Sequence, residues 1–350
     1  MKKYFYSTPT FTESTWAILA LTRFLLAFIV MYGHFYAYVF GFNAGANQLI
    51  LNLDAKAAVM AFLFISGISI GYSYDKKKEG FFKRRLIRIY PLYFTAVLFG
   101  VILQNYLGSP FELPNSTMVP AGHLTSIANF LLLQGIAAIT ITYNGPLWSI
   151  GVEFLLYLMV PFLSSLRLRY LLVITLISMI AFTFFNYSFL YGYTTLIWAW
   201  PFIIGLLITV KKRLSYAICL LVISLLIVNF QKEVFRDSLS VVTVSVSIII
   251  CLFAIYTKYD FSTKTKHVFN YLGVISYPLY VFHLPLFLLL YSLGLREHYL
   301  FIGMVILFCI PINFIFDTFL TKIFWKPVIL QVEYIIKKIR VSCMKTVVKY

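Results

Sequence analysis

The chain is punctuated by apolar runs near the length that crosses a lipid bilayer, and this leaves few folds open. Ten such runs lie at roughly residues 16–40, 56–74, 89–105, 147–165, 170–186, 194–210, 214–231, 239–256, 269–292 and 299–320. A helix rises about 1.5 Å per residue, so about 20 apolar residues cover a hydrocarbon core ~30 Å thick. With no water to bond, the backbone must satisfy itself, and helices do that within one segment. Composition agrees: 61% of the 350 residues are hydrophobic and 12% are charged, against about 25% charged in an ordinary soluble domain. The expected fold is all-α, a polytopic membrane protein of about ten transmembrane helices. Its membrane domain covers residues 1–320, and a basic amphipathic tail covers 321–350.

A net charge of +17 could suggest a nucleic-acid partner. Its distribution argues otherwise. Of the 29 Lys and Arg, 24 fall at the N-terminus, at Lys76–Arg88, Arg167/Arg169, Lys211–Arg213 and Lys258–Lys266, and in the tail. Those loops all lie on one side if every run crosses. The opposite loops hold four, Lys56, Lys232, Arg236 and Arg296, and Arg23 alone sits inside a run. Basic loops stay in the cytoplasm, so both termini are expected there and no nucleic acid is. The apolar stretch after Lys2 and Lys3 is too long for a cleavable signal and should remain as the first span. Cys219, Cys251, Cys309 and Cys343 lack metal-ligand spacing.

The apolar segment 127–142, "IANFLLLQGIAAITIT", is short for a span. If it crossed, the later basic loops would turn outward, so a re-entrant or interfacial outer helix is expected. "GISIG", residues 67–71, spaces two glycines as close helix packing requires.

Charged groups inside apolar runs carry the functional signal, because each costs at least ~2.5–3.5 kcal/mol near the bilayer centre. Arg23 and His34 are eleven residues apart, within about 20° of one helix face and ~16 Å apart along it. Both can therefore face a polar interior, although Arg23 is near enough to the span's start to snorkel. Arg85 and Arg88, i and i+3 in "KRRLIRIYP" with Lys83 and Arg84 beside them, can converge on one anion at the membrane mouth. Guanidinium forks suit phosphate oxygens. Glu153 has no basic neighbour in sequence, and a similar depth would let it meet and orient His34. Asp317 is a second intramembrane acid whose partner the sequence does not identify. In "SYPLYVFHLP" Pro278 and Pro285 free backbone carbonyls; Ser276, Tyr277 or His283 could satisfy one.

Five stretches in order resemble the acyltransferase 3 family of integral membrane acyltransferases, which includes bacterial sugar and glycan O-acetyltransferases. They are Arg23…His34, "FLFISG", "RLIRIYP", "WSIGVE" and "SYPLYVFHLP", with a mild departure from the family's aromatic pair in "FLFISG". The resemblance implies a bacterial cytoplasmic-membrane enzyme that moves acetyl from acetyl-CoA to a hydroxyl of a cell-surface or lipid-linked glycan. Membrane lipids surround it, and a homo-oligomer or an envelope-biosynthesis partner stays open. On that implication His34 is the base or a transient acyl carrier, Arg23 holds the donor or the oxyanion, and Glu153 orients His34. Arg85, Arg88, Arg84 and Lys83 take the phosphates of coenzyme A, and Ser66, Trp148, Ser149, Tyr277 and His283 line the cavity. A thioester donor needs no metal. The rival reading is a proton-coupled secondary transporter using the same buried His, Glu and Arg.

Overall fold

The computed structural model describes residues 9–40, 48–108, 110–184, 193–230, 239–257, 259–332 and 334. Lys2, Lys3, Lys232, Arg236, Lys258, the tail beyond 334 with Cys343, and the Asp317 side chain lie outside the described residues. The order of helices is α1 (Glu13–Phe35), α2 (Gln48–Asn52), α3 (Ala55–Lys76), α4 (Phe81–Leu107), α5 (His123–Phe130), α6 (Trp148–Ser165), α7 (Leu168–Phe184), α8 (Tyr193–Thr209), α9 (Leu214–Phe230), α10 (Ser240–Tyr256), α11 (Thr263–Ser292) and α12 (His298–Ile312). A π-helical turn extends α1 over Tyr36–Phe40, and a small antiparallel hairpin pairs β1 (Phe111–Leu113) with β2 (Ser116–Met118).

All ten apolar runs are helical over most of their described residues. Among the described residues six helices are long and apolar enough to cross a membrane: Glu13–Val39, Ala55–Lys76, Phe81–Leu107, Thr142–Ser165, Thr263–Ser292 and His298–Val332. α7 to α10 have 17 residues each, about 26 Å at 1.5 Å per residue. The last helix does not stop at 320 as expected but stays helical to Val332 through two π-helical turns.

Segment 127–142 departs from expectation. Its first residues, to Phe130, are helical, and a 3-10 turn begins only at its last residue, Thr142. The chain then turns through Leu132 at φ 60° and Gly135 at φ 76°, conformations that end a helix. Buried amides make this irregular backbone tolerable. Asn129, fully buried, donates from Nδ2 to the carbonyls of Thr125 (2.8 Å) and Ile139 (2.9 Å) and accepts from the Ile141 amide (3.3 Å). Gln134 donates to the Leu147 carbonyl (3.1 Å). Non-helical backbone survives at membrane depth only where protein satisfies it.

α1, α3, α10 and α11 pack together, with α6 and α8 behind α3. Two crossings are set by glycine. A Cβ on Gly67 would strike the Phe202 carbonyl of α8, and one on Gly205 would strike the Phe64 carbonyl of α3. A Cβ on Gly273 of α11 would fall on Ala20 of α1. Small residues here let backbones touch, which supplies packing where lipid gives no hydrophobic drive. The basic loops gather at one end. Ser14 donates to Asp260 (2.8 Å), and Lys266 pairs with Asp260 and Glu13 at 3.2 Å each. The Ser14 hydroxyl, followed by Lys266, holds the Asp260 carboxyl below its usual range. At the same end Lys211 donates to the carbonyls of Ser164 (2.8 Å) and Leu166 (2.6 Å).

Gly67→Leu should overpack the α3–α8 crossing by about 1–3 kcal/mol. Its unfolding midpoint in detergent should fall, and an unchanged midpoint would mean that the helices are not in backbone contact.

Candidate active site

A cavity of about 510 Å³ opens among the basic groups and runs inward between α1, α3, α4, α6 and α11. On α3 its walls extend from Lys76 to Val59, about 26 Å at 1.5 Å per residue. The mouth carries Lys76, Lys77, Arg84, Arg85 and Arg88. Arg84 is tied to the carbonyls of Lys77 and Glu79 (2.5 Å each). Arg85 donates to Ser73 (2.7 Å), and its buried Nε has no hydrogen-bond partner among the described residues. Arg88 is exposed. The expected basic set needs one correction: Lys83 does not line the cavity, whereas Lys76 and Lys77 do. Helix geometry gives the reason. Arg84, Arg85 and Arg88 cluster on one face of α4, and Lys83 sits about 150° from that face's centre.

Midway along, Arg23 turns inward rather than snorkelling. Its guanidinium donates to Ser69 (2.6 Å) and lines the cavity. Opposite it, Ser66 donates to Glu153 Oε1 (2.5 Å) and lies 2.8 Å from the Tyr157 hydroxyl, which also donates to Glu153. The half-buried carboxylate thus has two hydroxyl donors and a cationic neighbour across the void. The expected contact between Glu153 and His34 is absent among the described residues. Glu153 is committed to the wall formed by α3 and α6, and His34 to α11.

The inner end of the cavity is closed by Val59, Phe62, Ser149, Ile150 and Tyr280. Tyr280 bonds Ser149 through their hydroxyls (2.5 Å), and Phe62 packs edge-on against its ring (5.5 Å). Tyr277 also lines the cavity and donates to the Ile89 carbonyl (2.9 Å). Trp148 does not: it packs on Trp198 with ring centroids 5.2 Å apart, so its role here is packing.

His34 and His283 lie just past this closed end. Neither lines the cavity, so Arg23 and His34, expected to face one polar interior, do not share this void. The barrier is one ring thick: Tyr280 stands edge-on to His283 with centroids 6.2 Å apart. His34 Nδ1 and His283 Nε2 are 3.0 Å apart, their rings nearly parallel at 13°. His283 Nδ1 also bonds the Leu279 carbonyl at 3.0 Å. The expectation that His283 satisfies a backbone carbonyl therefore holds, but not for one freed by proline. Pro285 frees the Val281 carbonyl, and that oxygen accepts from Asn144 (2.9 Å).

Sequence reasoning missed Tyr280, Tyr157, Ser69 and Asn144. Tyr280 stands three residues before His283 in a stretch already singled out, and Ser69 three after Ser66, so helical spacing offered a signal for both. Tyr157 stands four after Glu153, a signal of the same kind, whereas nothing local marked Asn144.

Compared with known families, the chain matches the acyltransferase 3 model, described as an acyltransferase domain, over residues 16–318. No curated protein and no solved structure matches it. The family match favours an enzyme over a transporter. With apolar helices throughout and a family model that spans nearly the whole chain, the protein belongs to the acyltransferase 3 family and is a multi-pass membrane acyltransferase.

Proposed function

We propose that the protein transfers acetyl from cytoplasmic acetyl-CoA to a hydroxyl of a cell-surface or lipid-linked glycan, across the bacterial cytoplasmic membrane. The observation that carries this reading is the cavity, which opens among five basic side chains and ends one ring short of the His34–His283 pair. The mouth fits a polyphosphate. Arg85 and Arg88 offer guanidinium forks, and the unpartnered Arg85 Nε is a donor awaiting an acceptor. The inward walls of Val59, Phe62, Leu63 and Ile70 suit a slender, mostly apolar arm such as pantetheine. The adenine nucleotide would stay at the basic end, which the charge rule places in the cytoplasm.

The thioester would then reach Ser149 and Tyr280. His34 stands beyond them, near the opposite end of α1, partly exposed and able to meet an acceptor from the outer side. For the two substrates to meet, the Tyr280 ring must leave its bond to Ser149 and turn aside. His34 removes the proton from the acceptor hydroxyl, whose oxygen attacks the thioester carbonyl carbon. As the C–O bond forms, the C–S bond breaks and coenzyme A departs as thiolate. The proton held by His34 then passes to that thiolate, leaving a free thiol, an ester and a neutral imidazole. Base catalysis of this kind contributes roughly 10²–10⁴-fold. Arg23 lies near mid-cavity and favours the anionic donor along its path.

Purified protein should transfer label from acetyl-CoA to a glycan hydroxyl, and His34→Ala should lose roughly 10²-fold or more of kcat while remaining folded. Full activity in that variant would overturn His34 as the base. Arg85→Ala should raise KM for acetyl-CoA about tenfold, the loss of a charge-assisted hydrogen bond, whereas Lys83→Ala should leave KM unchanged. An equal effect of the two substitutions would mean that the cavity mouth does not bind the phosphates.

A further inference from the structure

The His34–His283 contact fixes more than the distance between two rings, because protons can be placed along it. The Leu279 carbonyl oxygen only accepts, so His283 Nδ1, 3.0 Å away, carries hydrogen. A neutral imidazole has one N–H, so His283 Nε2 then holds a lone pair. That lone pair faces His34 Nδ1 at 3.0 Å. Two facing lone pairs would repel, so His34 Nδ1 must carry its own proton and donate it. His34 Nε2 is left bare. Among the described residues that nitrogen makes no hydrogen bond, and His34 retains exposure while His283 has none.

His283 is fully buried, and its ring neighbours besides His34 are Tyr280 (6.2 Å) and Phe287 (5.9 Å). The Glu153 carboxylate is engaged elsewhere.

We propose that His283 is a positioning residue: it fixes His34 as the Nδ1–H tautomer and so presents the Nε2 lone pair as the base. This rests on the reading of His34 as the base. The acceptor is a neutral imidazole in place of the usual carboxylate, anchored by the helix backbone. When His34 takes a proton at Nε2 its ring becomes cationic, and its Nδ1–H bond to His283 becomes charge-assisted and stronger. The pair therefore stabilises His34 most after proton capture, when stabilisation speeds the reaction.

The test compares His283→Phe, which keeps a ring but offers no acceptor, with His283→Gln, whose amide oxygen can stand near the former Nε2. His283→Phe should lower kcat roughly 10²-fold or more and leave KM for acetyl-CoA unchanged, since His283 does not line the cavity. His283→Gln should recover most of that loss. If His283→Phe retains kcat while His34→Ala is inactive, the positioning role is wrong and the base stands. If both variants are fully active, the base reading itself fails. A His283→Gln variant no better than His283→Phe would also overturn the proposal. Nitrogen-15 spectra of imidazole-labelled wild-type protein give a readout independent of activity and of mutant folding. They should show His34 protonated at Nδ1 and bare at Nε2, and the opposite tautomer would sink the proposal.

Discussion

A polar group taken into a lipid-embedded bundle has no water to fall back on, so each must find its partner within the protein. The interior of this chain is organised by that constraint. Arg23 finds Ser69, Glu153 finds Ser66 and Tyr157, His34 finds His283, and Asn144 takes the carbonyl that Pro285 frees. These bonds tie α1 to α3, α3 to α6 and α1 to α11. They also join the short turn before α6 to α11. Polar satisfaction and helix packing are thus one problem here.

Glycine makes the seam possible. Ala20 and Gly273 let α1 and α11 touch along their backbones, and the imidazoles meet farther along the same pair of helices. Gly67 and Gly205 do the same for α3 and α8, which holds the Ser66 face of α3 toward the cavity. A side chain at either crossing would push apart helices that must stay within hydrogen-bond reach, about 3 Å, of their partners.

The cavity divides the work by chemistry. Its mouth is cationic, its walls are mostly apolar, and its closed end is a hydroxyl pair backed by aromatic rings. A cavity built this way suits an anionic ligand with a slender apolar arm.

The sequence by itself determined that this chain is a helical membrane protein, and it marked Arg23, His34, Arg85, Arg88 and Glu153 as residues needing explanation. Both follow from local quantities: runs near the bilayer thickness, and charges that lipid penalises wherever they occur. Five spaced motifs added the family. The sequence could not assign partners, because those are set by contacts far apart in the chain. Glu153 was expected beside His34 from depth alone. Helix rotation turned it to Ser66, 87 residues away, and gave His34 a partner 249 residues away. Lys83 failed for a related reason: adjacency in sequence is about 100° of rotation on a helix. Segment 127–142 looked helical because apolarity reports burial, not conformation, and a fold with enough buried amides can hold irregular backbone there. Only the tertiary structure decided how the helices are rotated about their axes. That rotation puts Tyr280 on the cavity wall and beside the imidazole pair, and it is settled by how all the helices pack at once.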